Sequence, residues 1–416
     1  LRNVVRMLHS AIRNIYMCIL MYLNTRHLLC AIEVAETGTV VQAANNVHLT
    51  QSAVTQGLLA LEQQLHVQLF ERSNQGMRLT QAGELFLRRG KRAFAQLKEA
   101  AQWWFAPQSS VHESWVRNLT WKQLCAFSMV CQSGSYSAAA RRLQLTQPTL
   151  HRTLKDFQEL CQAPLFYRSP AGVDIPWRTR QLSRYVGLFF AEINQGIDEV
   201  QALQSTRAGR LAIGCLPLAQ TKIVPAAILA LLQQYPLADI SVVDGPYEEQ
   251  LQALLHGQLD MLVGALRFPL PHSEITQVTL FMDELSLVAR AGHPLLSSTS
   301  LSVADLQHYP WVAPRKNTPA RDVFERVFSE EGLPLPEDII ECGSMVVSRG
   351  ILMASDRLSL LPSRQVEVEL QSATLALLDF ELGNTQRAIG YALRRNWQPT
   401  QVQAAFLRLL EQQVAS

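Results

Sequence analysis

The 416-residue sequence has little of what marks enzymes, metalloproteins or secreted domains. Its seven cysteines are scattered without a C-x-x-C pair, which argues against a disulfide framework or a zinc site and suits a reducing compartment. It has no G-x-S-x-G, G-x-G-x-x-G, Walker or H-E-x-x-H motif, and its ten histidines are isolated. We therefore expect no enzyme activity, no cofactor and no metal.

The sequence also offers no convincing membrane segment. The apolar run at residues 15–23 is far shorter than the roughly 20 residues that span a bilayer, and no cleavage site with small residues follows it. Because the chain begins with Leu, we expect the natural start at Met17 or Met21, with residues 1–23 as an extension. The alternative is an ordinary amphipathic N-terminal helix. Either interpretation predicts a cytoplasmic protein.

Charge is nearly balanced over the whole chain, at +2, but not over its parts. Residues 1–110 carry 11 Lys/Arg against 6 Asp/Glu, residues 115–210 carry 12 against 6, and residues 211–416 carry 14 against 22. A basic front half on an acidic back half favours a polyanion-binding part joined to a part with another ligand; chance is the alternative. The length suggests two to four domains.

The front half contains one unit twice. Aligning each residue with the one 96 positions later needs no gap, and this spacing exceeds that of solenoid repeats, so the unit is a duplicated domain. The matches include Gly38 with Gly134, Ala43-Ala44 with Ala139-Ala140, Leu49-Thr50-Gln51 with Leu145-Thr146-Gln147, Leu69-Phe70 with Leu165-Phe166, Arg72-Ser73 with Arg168-Ser169, and Gly76 with Gly172.

Each copy has the pattern of two helices joined by a tight turn. The sequence predicts helices near 26–37 and 120–133, each ending at a glycine and followed by a short helix with an alanine pair. Thr50 and Thr146 are predicted to cap the next helix, and Pro148 falls in its first turn, where a missing N–H costs nothing. Apolar residues at helical spacing then leave a polar outer face, as in a helix-turn-helix.

The start of that polar face supplies candidate DNA contacts. Gln can pair with adenine, Arg with guanine, and Thr can approach the thymine methyl group, while nearby arginines can contact phosphates. The alternative is a structural hairpin with a solvated face. The candidates are Gln51, Ser52, Thr55, Gln56 and Arg72 in the first copy and Arg141, Arg142, Gln147, Thr149, His151, Arg152, Lys155 and Arg168 in the second.

The first copy, AETGTVVQAANNVHLTQSAVTQGLLALEQQLHVQLFERSNQGMRLTQAGELFL, resembles the winged-helix domain of LysR-type transcriptional regulators almost from end to end. The resemblance implies a two-stranded wing and then a linker helix. The second copy resembles the family through its recognition helix and then departs at Phe157-Gln158 and at IPWRT, 175–179. The sequence therefore does not decide whether the second copy has a wing. The family normally has one such domain, so either both copies bind DNA or one has become a packing element. The basic residues favour the second copy as the stronger DNA contact.

A long amphipathic helix is predicted after each copy, over 81–105 and 177–206, with a polar linker at 106–114. The second helix has a long apolar stripe that needs a partner. The resemblance implies pairing with the same helix of another subunit, in a homodimer or homotetramer. Packing against its own chain is the alternative.

The back half alternates strands and helices, which predicts a parallel sheet with ligands at the carboxyl ends of its strands. A crossing strand in DELSLVARAGHPL leads into a second lobe of the same rhythm. Through RLAIG, LLHGQLDMLVGA and SDRLSLLP this half resembles the LysR effector-binding domain, which is built like a periplasmic solute-binding protein. The resemblance covers about residues 21–413.

The expected fold is therefore a multidomain α+β and α/β protein with two winged helix-turn-helix domains, long linker helices and a bilobed effector domain. The expected domains are an N-terminal extension at 1–23, the first winged helix-turn-helix with its linker helix at 24–105, a linker at 106–114, the second copy with its helix at 115–206, and the effector domain at 207–416.

Loops at strand ends supply candidate effector contacts. Thr318 and Ser344 precede predicted helices, where a hydroxyl and free N–H groups can hold a carboxylate or phosphate; plain capping is the alternative. The resemblance is nearest to a branch of the family whose members often respond to sugars or aromatic acids as effectors. The candidate effector-binding residues are Cys215, Leu216, Pro217, Leu218, Gly264, Ala265, Thr318, Ser344 and Met345.

Together these patterns predict a DNA-binding transcriptional regulator whose small-molecule effector sits between two lobes and changes how subunits are oriented on double-stranded DNA. The alternatives are a solute-binding protein and a co-regulatory protein whose helix-turn-helix copies contact other proteins. A steep salt dependence of DNA binding would distinguish them, because phosphate contacts release counterions.

Overall fold

A computed structural model describes residues 23–74, 76–105, 111–169, 172–204 and 209–415. The expected starts at Met17 and Met21 lie outside these residues. Within the described part of the chain, no helix has the length and apolar character that crossing a bilayer requires.

The first copy folds as a helix-turn-helix followed by a two-stranded wing. Thr50 caps the third helix through its hydroxyl, as predicted, and Gly38 ends the first helix in the left-handed region with φ of 73°. The elements are α1 (Thr25–Thr37), α2 (Val40–Val47), α3 (Gln51–Leu65), β1 (Phe70–Ser73), β2 (Gly76–Leu79) and the first linker helix, α4 (Gln81–Trp104).

The second copy repeats this order. Thr146 caps its recognition helix and Pro148 lies in the first turn, which confirms the reason why the proline is tolerated. The predicted linker at 106–114 is already helical from Val111 onward. The elements are α5 (Val111–Asn118), α6 (Trp121–Ser133), α7 (Tyr136–Arg142), α8 (Gln147–Cys161), β3 (Tyr167–Ser169), β4 (Gly172–Asp174) and the second linker helix, α9 (Trp177–Leu203).

The second copy does have a wing, a point that the sequence did not decide: β3 and β4 form an antiparallel pair. Both wings are attached in the same way. Met77 N donates to Gly38 O at 2.8 Å, and Val173 N donates to Gly134 O at 3.1 Å. Beside these bonds, a Cβ on Gly76 would lie 2.5 Å from the same Gly38 oxygen. The attachment depends on backbone atoms and on glycine, so the change to IPWRT does not remove it.

The linker helices α4 and α9 pack against each other in antiparallel directions. The rings of Phe94 and Phe189 lie 5.7 Å apart near the middle, and Arg178 at the start of α9 donates to Trp104 O at the end of α4, 2.9 Å away. The apolar stripe of α9 is thus covered by its own chain. The expected pairing with a second subunit is wrong for this stripe, because the duplication supplies the partner helix in the same polypeptide.

Both copies and both linker helices share one hydrophobic core. This core contains fully buried aromatic side chains of the second copy and of both linker helices, including Phe127 of α6, Phe157 of α8, Phe86 of α4 and Phe189 of α9. The front half therefore packs as one body, with the outer faces of α3 and α8 left outside the core.

The first lobe of the back half contains a five-stranded sheet in the order β6-β5-β7-β14-β8, in which β14 is the late strand Arg387–Arg394. Strands β5, β6 and β7 are parallel as predicted, but β14 runs antiparallel to both of its neighbours, so the sheet is mixed. The elements are β5 (Arg210–Cys215), α10 (Pro217–Thr221), α11 (Ile223–Gln234), β6 (Asp239–Val243), α12 (Tyr247–Leu255), β7 (Met261–Ala265) and β8 (Ile275–Asp283).

The chain crosses to the second lobe through Glu284, as the crossing strand predicted. There β9 pairs antiparallel with β12 and β13, while β10 and β11 form a separate parallel pair. The expected parallel sheet is wrong here, because strand–helix alternation does not decide which strands become neighbours. The elements are β9 (Leu285–Arg290), α13 (Val303–Gln307), β10 (Trp311–Ala313), α14 (Pro319–Ser329), β11 (Ile339–Glu341), α15 (Met345–Met353), β12 (Ser359–Pro362), α16 (Glu367–Gln371), β13 (Leu375–Leu378) and 3-10 turns at Pro294–Ser297 and Ser363–Val366.

The chain then returns to the first lobe through β14 (Arg387–Arg394) and α17 (Gln401–Ala415). Phe406 and Leu410 of α17 are buried in the first-lobe core with Leu211 and Ile213 of β5. This confirms the predicted return of the last helix, and it means that two chain crossings join the lobes.

Candidate nucleic-acid interface and effector cleft

The recognition helix of the first copy, α3, presents polar residues because its apolar residues are buried on the opposite face. Val54, Leu58 and Leu61 are buried, and the Thr50 hydroxyl accepts from Ala53 N at 3.2 Å, which fixes where the helix begins. The Thr55 hydroxyl donates to its own helix, at Gln51 O. The predicted contacts Gln51, Ser52 and Gln56 are exposed and Thr55 is half-buried.

The recognition helix of the second copy, α8, is built in the same way. Leu150, Leu154 and Phe157 are buried, and the Thr146 hydroxyl accepts from Thr149 N at 3.3 Å. Lys155 has one carboxylate nearby, that of Glu159 at 3.9 Å, and an exposed pair of this kind contributes little. The five predicted contacts on this helix are all exposed: Gln147, Thr149, His151, Arg152 and Lys155.

Further predicted phosphate contacts surround the recognition helices. Arg141 and Arg142 are exposed in the last turn of α7, and Arg72 is exposed on β1. In the first copy, Arg72 lines a groove of about 670 Å³ between α3 and the wing, together with Gln51, Ser52 and Thr55. Arg168 lies on β3, and its side chain is outside the part of the structure described.

The two recognition surfaces differ in charge at equivalent positions. With the 96-residue offset, Asn45, Asn46, Gln56 and Leu59 of the first copy correspond to Arg141, Arg142, Arg152 and Lys155 of the second. All eight side chains are exposed, and Leu59 is 52% exposed. Sequence reasoning missed Leu59, although its place one turn after Gln56 marks it as part of the surface.

A buried arginine joins the two linker helices to the back half. The Arg89 side chain is 1% exposed, and its guanidinium donates to Glu199 Oε1 at 2.7 Å and to Glu192 at 3.1 Å. It also donates to Gln195 Oε1 and to the backbone oxygen of Gln398. Burial by itself lowers the pKa of Arg89, but Glu199 and Glu192 outweigh it and raise the pKa above its ordinary value. The Arg89 guanidinium therefore keeps its full positive charge, balanced by the two glutamates, between α4, α9 and the loop before α17.

The second linker helix also packs closely on the first lobe. A Cβ on Gly187 would lie 2.4 Å from His256 O, so only glycine permits this approach. Next to Arg89, Arg92 donates to Glu192 at 2.9 Å and to Asn396 O at 2.6 Å. Sequence reasoning missed this junction, because arginines in an amphipathic helix suggest solvent. A signal was available, since Arg89 lies three residues after the apolar Phe86, on the face that turns inward.

In the first lobe, most of the predicted effector loop is buried. Cys215 and Leu218 belong to the lobe's core, and burial, with a smaller contribution from Asp244, raises the pKa of the Cys215 thiol to about 12. Leu216 is also buried, and a Cβ on Gly264 would lie 2.5 Å from its Cβ. Two predicted residues stay accessible: Pro217 is exposed and Ala265 is half-buried.

In the second lobe, the predicted residues lie at the carboxyl ends of the neighbouring strands β10 and β11. The Thr318 hydroxyl accepts from Arg321 N at 3.3 Å and the Ser344 hydroxyl accepts from Val347 N at 3.4 Å, so both cap their helices. Met345 beside them is half-buried. A Cβ on Gly343 would overlap the Arg315 guanidinium, which therefore lies across both loops. Arg315 is exposed and was missed by the sequence reasoning.

The two lobes also touch beside their crossings. Lys222 Nζ, at the start of α11, lies 2.9 Å from Glu367 Oε2 of α16, and the Arg364 guanidinium lies 4.7 Å from the Phe281 ring centre. Among the described residues, no group of three or more His, Cys, Asp or Glu side chains is arranged to hold a metal ion.

Fold and site together define a class of protein: helix-turn-helix domains joined to a bilobed sensor of small molecules. The family model of the bacterial regulatory helix-turn-helix protein, lysR family, matches residues 25–84 and 121–175, and that of the LysR substrate binding domain matches 204–415. The chain belongs to the LysR family of transcriptional regulators. It is a DNA-binding regulator with a domain that binds a small-molecule effector.

The chain is similar to two curated relatives in sequence and to one solved structure in fold. The chain is 32% identical over 374 residues to the transcriptional regulator GalR of Pseudomonas putida, covering 89% of this chain and 92% of that protein. It is 28% identical over 286 residues to PcaQ of Agrobacterium fabrum, covering 68% and 91%. A full-length OxyR variant from Pseudomonas aeruginosa shares the fold, at 18% identity and a TM-score of 0.50, over 71% of this chain and 95% of that one.

The match to GalR is long enough to bear on the duplication. Coverage of 89% of this chain leaves too few residues outside it for either helix-turn-helix copy to be omitted entirely. Both relatives are transcriptional regulators, and the family is one of regulators and not of enzymes.

Proposed function

We propose that this regulator reads DNA with the exposed first turns of α3 and α8 and that Arg141 and Arg142 contact phosphates. The observation that carries this proposal is that each copy buries the apolar face of a capped helix and exposes a row of polar side chains at its start. Gln, Arg and Thr at such positions suit the edges of bases in the major groove.

The second copy supplies the stronger contact in this proposal. It exposes four cations at positions where the first copy has two asparagines, a glutamine and a leucine. Phosphate contacts dominate the affinity of DNA-binding proteins and make it depend steeply on salt. We therefore assign sequence reading to both copies and most of the electrostatic affinity to the second.

The proposed effector is a small carboxylate, bound between the lobes near the strand ends of the second lobe. Arg315 precedes α14 and its guanidinium lies against Gly343, just before α15, and the macrodipoles and N–H groups at the starts of both helices favour an anion nearby. Of the two classes that the resemblance implies, an aromatic acid satisfies these groups better than an uncharged sugar. Pro217 and Ala265 of the first lobe are the proposed contacts on the other side.

We also propose that the protein acts in the cytoplasm and that chains associate into homodimers or homotetramers. Such association would use a surface other than the α4–α9 interface, since these helices already cover each other.

Mobility shifts of genomic fragments, run over a series of salt concentrations, test the DNA-binding proposal. We expect selective retention of a few fragments, weakened by Arg152→Ala but not by the control Arg408→Ala, which removes an exposed arginine from α17. Equal retention by both variants would show that α8 does not read DNA.

Calorimetric titration with a panel of aromatic acids and sugars tests the effector proposal. We expect an aromatic carboxylate to bind and Arg315→Ala to abolish its heat of binding, while Lys316→Ala, which removes the neighbouring exposed cation, leaves binding in place. Binding that survives Arg315→Ala would exclude this location.

A further inference from the structure

The front half has the geometry of a dimer interface inside one polypeptide. We infer that a single chain carries a complete, twofold-related pair of DNA-reading domains, and that its target is an asymmetric DNA site with two unlike half-sites, both read by that one chain. This inference rests on the proposed function, because it takes α3 and α8 as the reading helices.

The first sign of a twofold relation is where the linker helices cross. With the 96-residue offset, Phe94 of α4 corresponds to Phe190 of α9, and Ala93 corresponds to Phe189. Phe94 packs on Phe189, next to its own counterpart, with ring centres 5.7 Å apart. In an interface between two equivalent units, a residue meets its own counterpart only near a twofold axis.

The second sign is that contacts at the ends of the linker helices are exchanged between the copies. Trp104 Nε1 at the end of α4 donates to Cys161 O at the end of α8, 2.8 Å away. Gln204 Nε2, directly after α9, donates to His66 O directly after α3, 2.9 Å away. Each linker helix thus holds the recognition helix of the other copy, which is the reciprocity expected of a twofold interface.

The third sign lies at the starts of the two copies. Leu23 and Leu119 are counterparts and both are buried. The Thr25 hydroxyl, at the start of the first copy, donates to Leu119 O at 2.7 Å. The equivalent entry points of the two copies therefore meet, as they do beside an axis that relates them.

The pairing of the two copies is fixed by side-chain packing. Both copies share one core, and the buried Arg89 cluster fastens α4 to α9. A twofold rotation keeps the component of any direction along its axis, so the inference requires that the recognition surfaces of α3 and α8 have a component along that axis and thus face the same side of the pair. A continuous duplex can then reach both surfaces at once.

The unlike side chains make the predicted site asymmetric. A symmetric pair of identical helix-turn-helix units reads a palindrome, because the same residues meet each half-site. Here Gln56 and Leu59 of α3 stand where α8 has Arg152 and Lys155. Arg favours guanine and Gln favours adenine, so the two halves select different bases.

The test selects full-length protein against a pool of random DNA duplexes and then counts chains per selected duplex by native mass spectrometry. We expect a site of two different half-sites in a fixed order and, when the duplex is in excess, one bound duplex per chain, whether the chains are single or associated. Arg152→Ala should relax the sequence of one half and weaken binding roughly tenfold or more. Gln56→Ala should relax only the other half. Arg408→Ala and Gln233→Ala, exposed residues of the back half, serve as controls.

The outcomes separate this inference from the proposed function beneath it. If no sequence is enriched and the two recognition variants bind random duplexes like the controls, the proposed reading function fails. If a palindrome or a single half-site is enriched, or if one site needs two chains, the reading function stands and the single-chain pair is excluded. All four substitutions are at exposed positions, and circular dichroism confirms that each variant is folded.

Discussion

The two helix-turn-helix copies share a framework and differ in what they present. Thr50 and Thr146 cap equivalent helices, and Gly38 and Gly134 end equivalent helices and hold equivalent wings. At the outer positions four neutral side chains of the first copy are replaced by four cations in the second. Capping and burial determine the helix framework, whereas exposed side chains determine which bases can be contacted. The framework can therefore be retained while the exposed side chains change.

A second contrast lies in how each copy ties its recognition helix to its wing. Glu62 Oε1 accepts from Leu69 N at 2.7 Å and from Phe70 N at 3.1 Å. Among the described residues, its counterpart Gln158 accepts one such bond, from Leu165 N at 2.9 Å. The departure from Leu-Glu to Phe-Gln thus keeps the connection, because a side-chain amide oxygen accepts the same bond as a carboxylate.

The largest expected effect comes from separating the two copies. Arg89→Ala removes a buried guanidinium that contacts both Glu192 and Glu199 and leaves them only the more exposed Arg92 and Arg88, which we expect to cost about 3 kcal/mol of stability. Arg88→Ala is the control, since Arg88 is 54% exposed and reaches Glu199 only at 3.5 Å, and it should cost well under about 1 kcal/mol. Thermal denaturation and hydrogen exchange in α4 and α9 measure both. Equal losses would show that the buried cluster does not hold the pair.

The next effect follows from exchanging the surface charges of the copies. Arg152→Gln with Lys155→Leu gives the second copy the residues of the first, and we expect a loss of about 10- to 100-fold in DNA affinity. The slope of log affinity against log salt should also fall, by up to about 2, because two cations that displace counterions from the duplex are removed. The reverse exchange, Gln56→Arg with Leu59→Lys, should steepen the slope by a similar amount. Fluorescence anisotropy over a salt series measures both pairs.

A smaller effect should follow from cutting the helix–wing connection in each copy. Glu62→Ala removes an acceptor of two backbone bonds and should cost about 2 kcal/mol locally, while Gln158→Ala removes one bond and should cost about 1 kcal/mol. Glu62→Gln should keep most of the protection. Hydrogen exchange at Leu69 and Leu165 compares the copies. Equal loss at both amides would mean that the second bond of Glu62 adds nothing.

The smallest effect distinguishes the copies by pH. Burial, with a smaller contribution from Arg26, lowers the pKa of His27 in the folded state below its ordinary value of 6.5. The unfolded chain therefore binds a proton more readily, so the contribution of His27 to stability is full above pH 6.5 and is lost as the pH falls below it. The counterpart in the second copy is Gln123, which does not titrate.

His27→Gln tests this difference. The free energy of unfolding of the variant should fall less between pH 7 and pH 5 than that of the unmodified chain, and the difference should be under about 1 kcal/mol. His256 and His293, whose pKa values burial also lowers, provide a background that is the same in both proteins. If the variant and the unmodified chain had the same pH profile, His27 would not contribute to the pH dependence of stability.

Local rules account for the parts of the structure that the sequence predicted well. The caps at Thr50 and Thr146 depend on neighbours within three residues, and the position of Pro148 depends on its own missing N–H. The effector lobe shows the limit of such rules. Thr318 and Ser344 are correctly placed at helix starts, but Arg315 enters the candidate site only because β10 and β11 are neighbours.

The sequence by itself determined that there are two equivalent copies, where their recognition helices begin, and which side chains those helices offer, because periodicity and capping act over a few residues. Only the tertiary structure decided what covers the linker helices and where Arg89 goes. An apolar stripe predicts that another surface covers it but does not identify that surface. The tether between the copies brings α4 and α9 together at high effective concentration, and glutamates and a backbone oxygen from distant segments complete the cluster around the buried arginine.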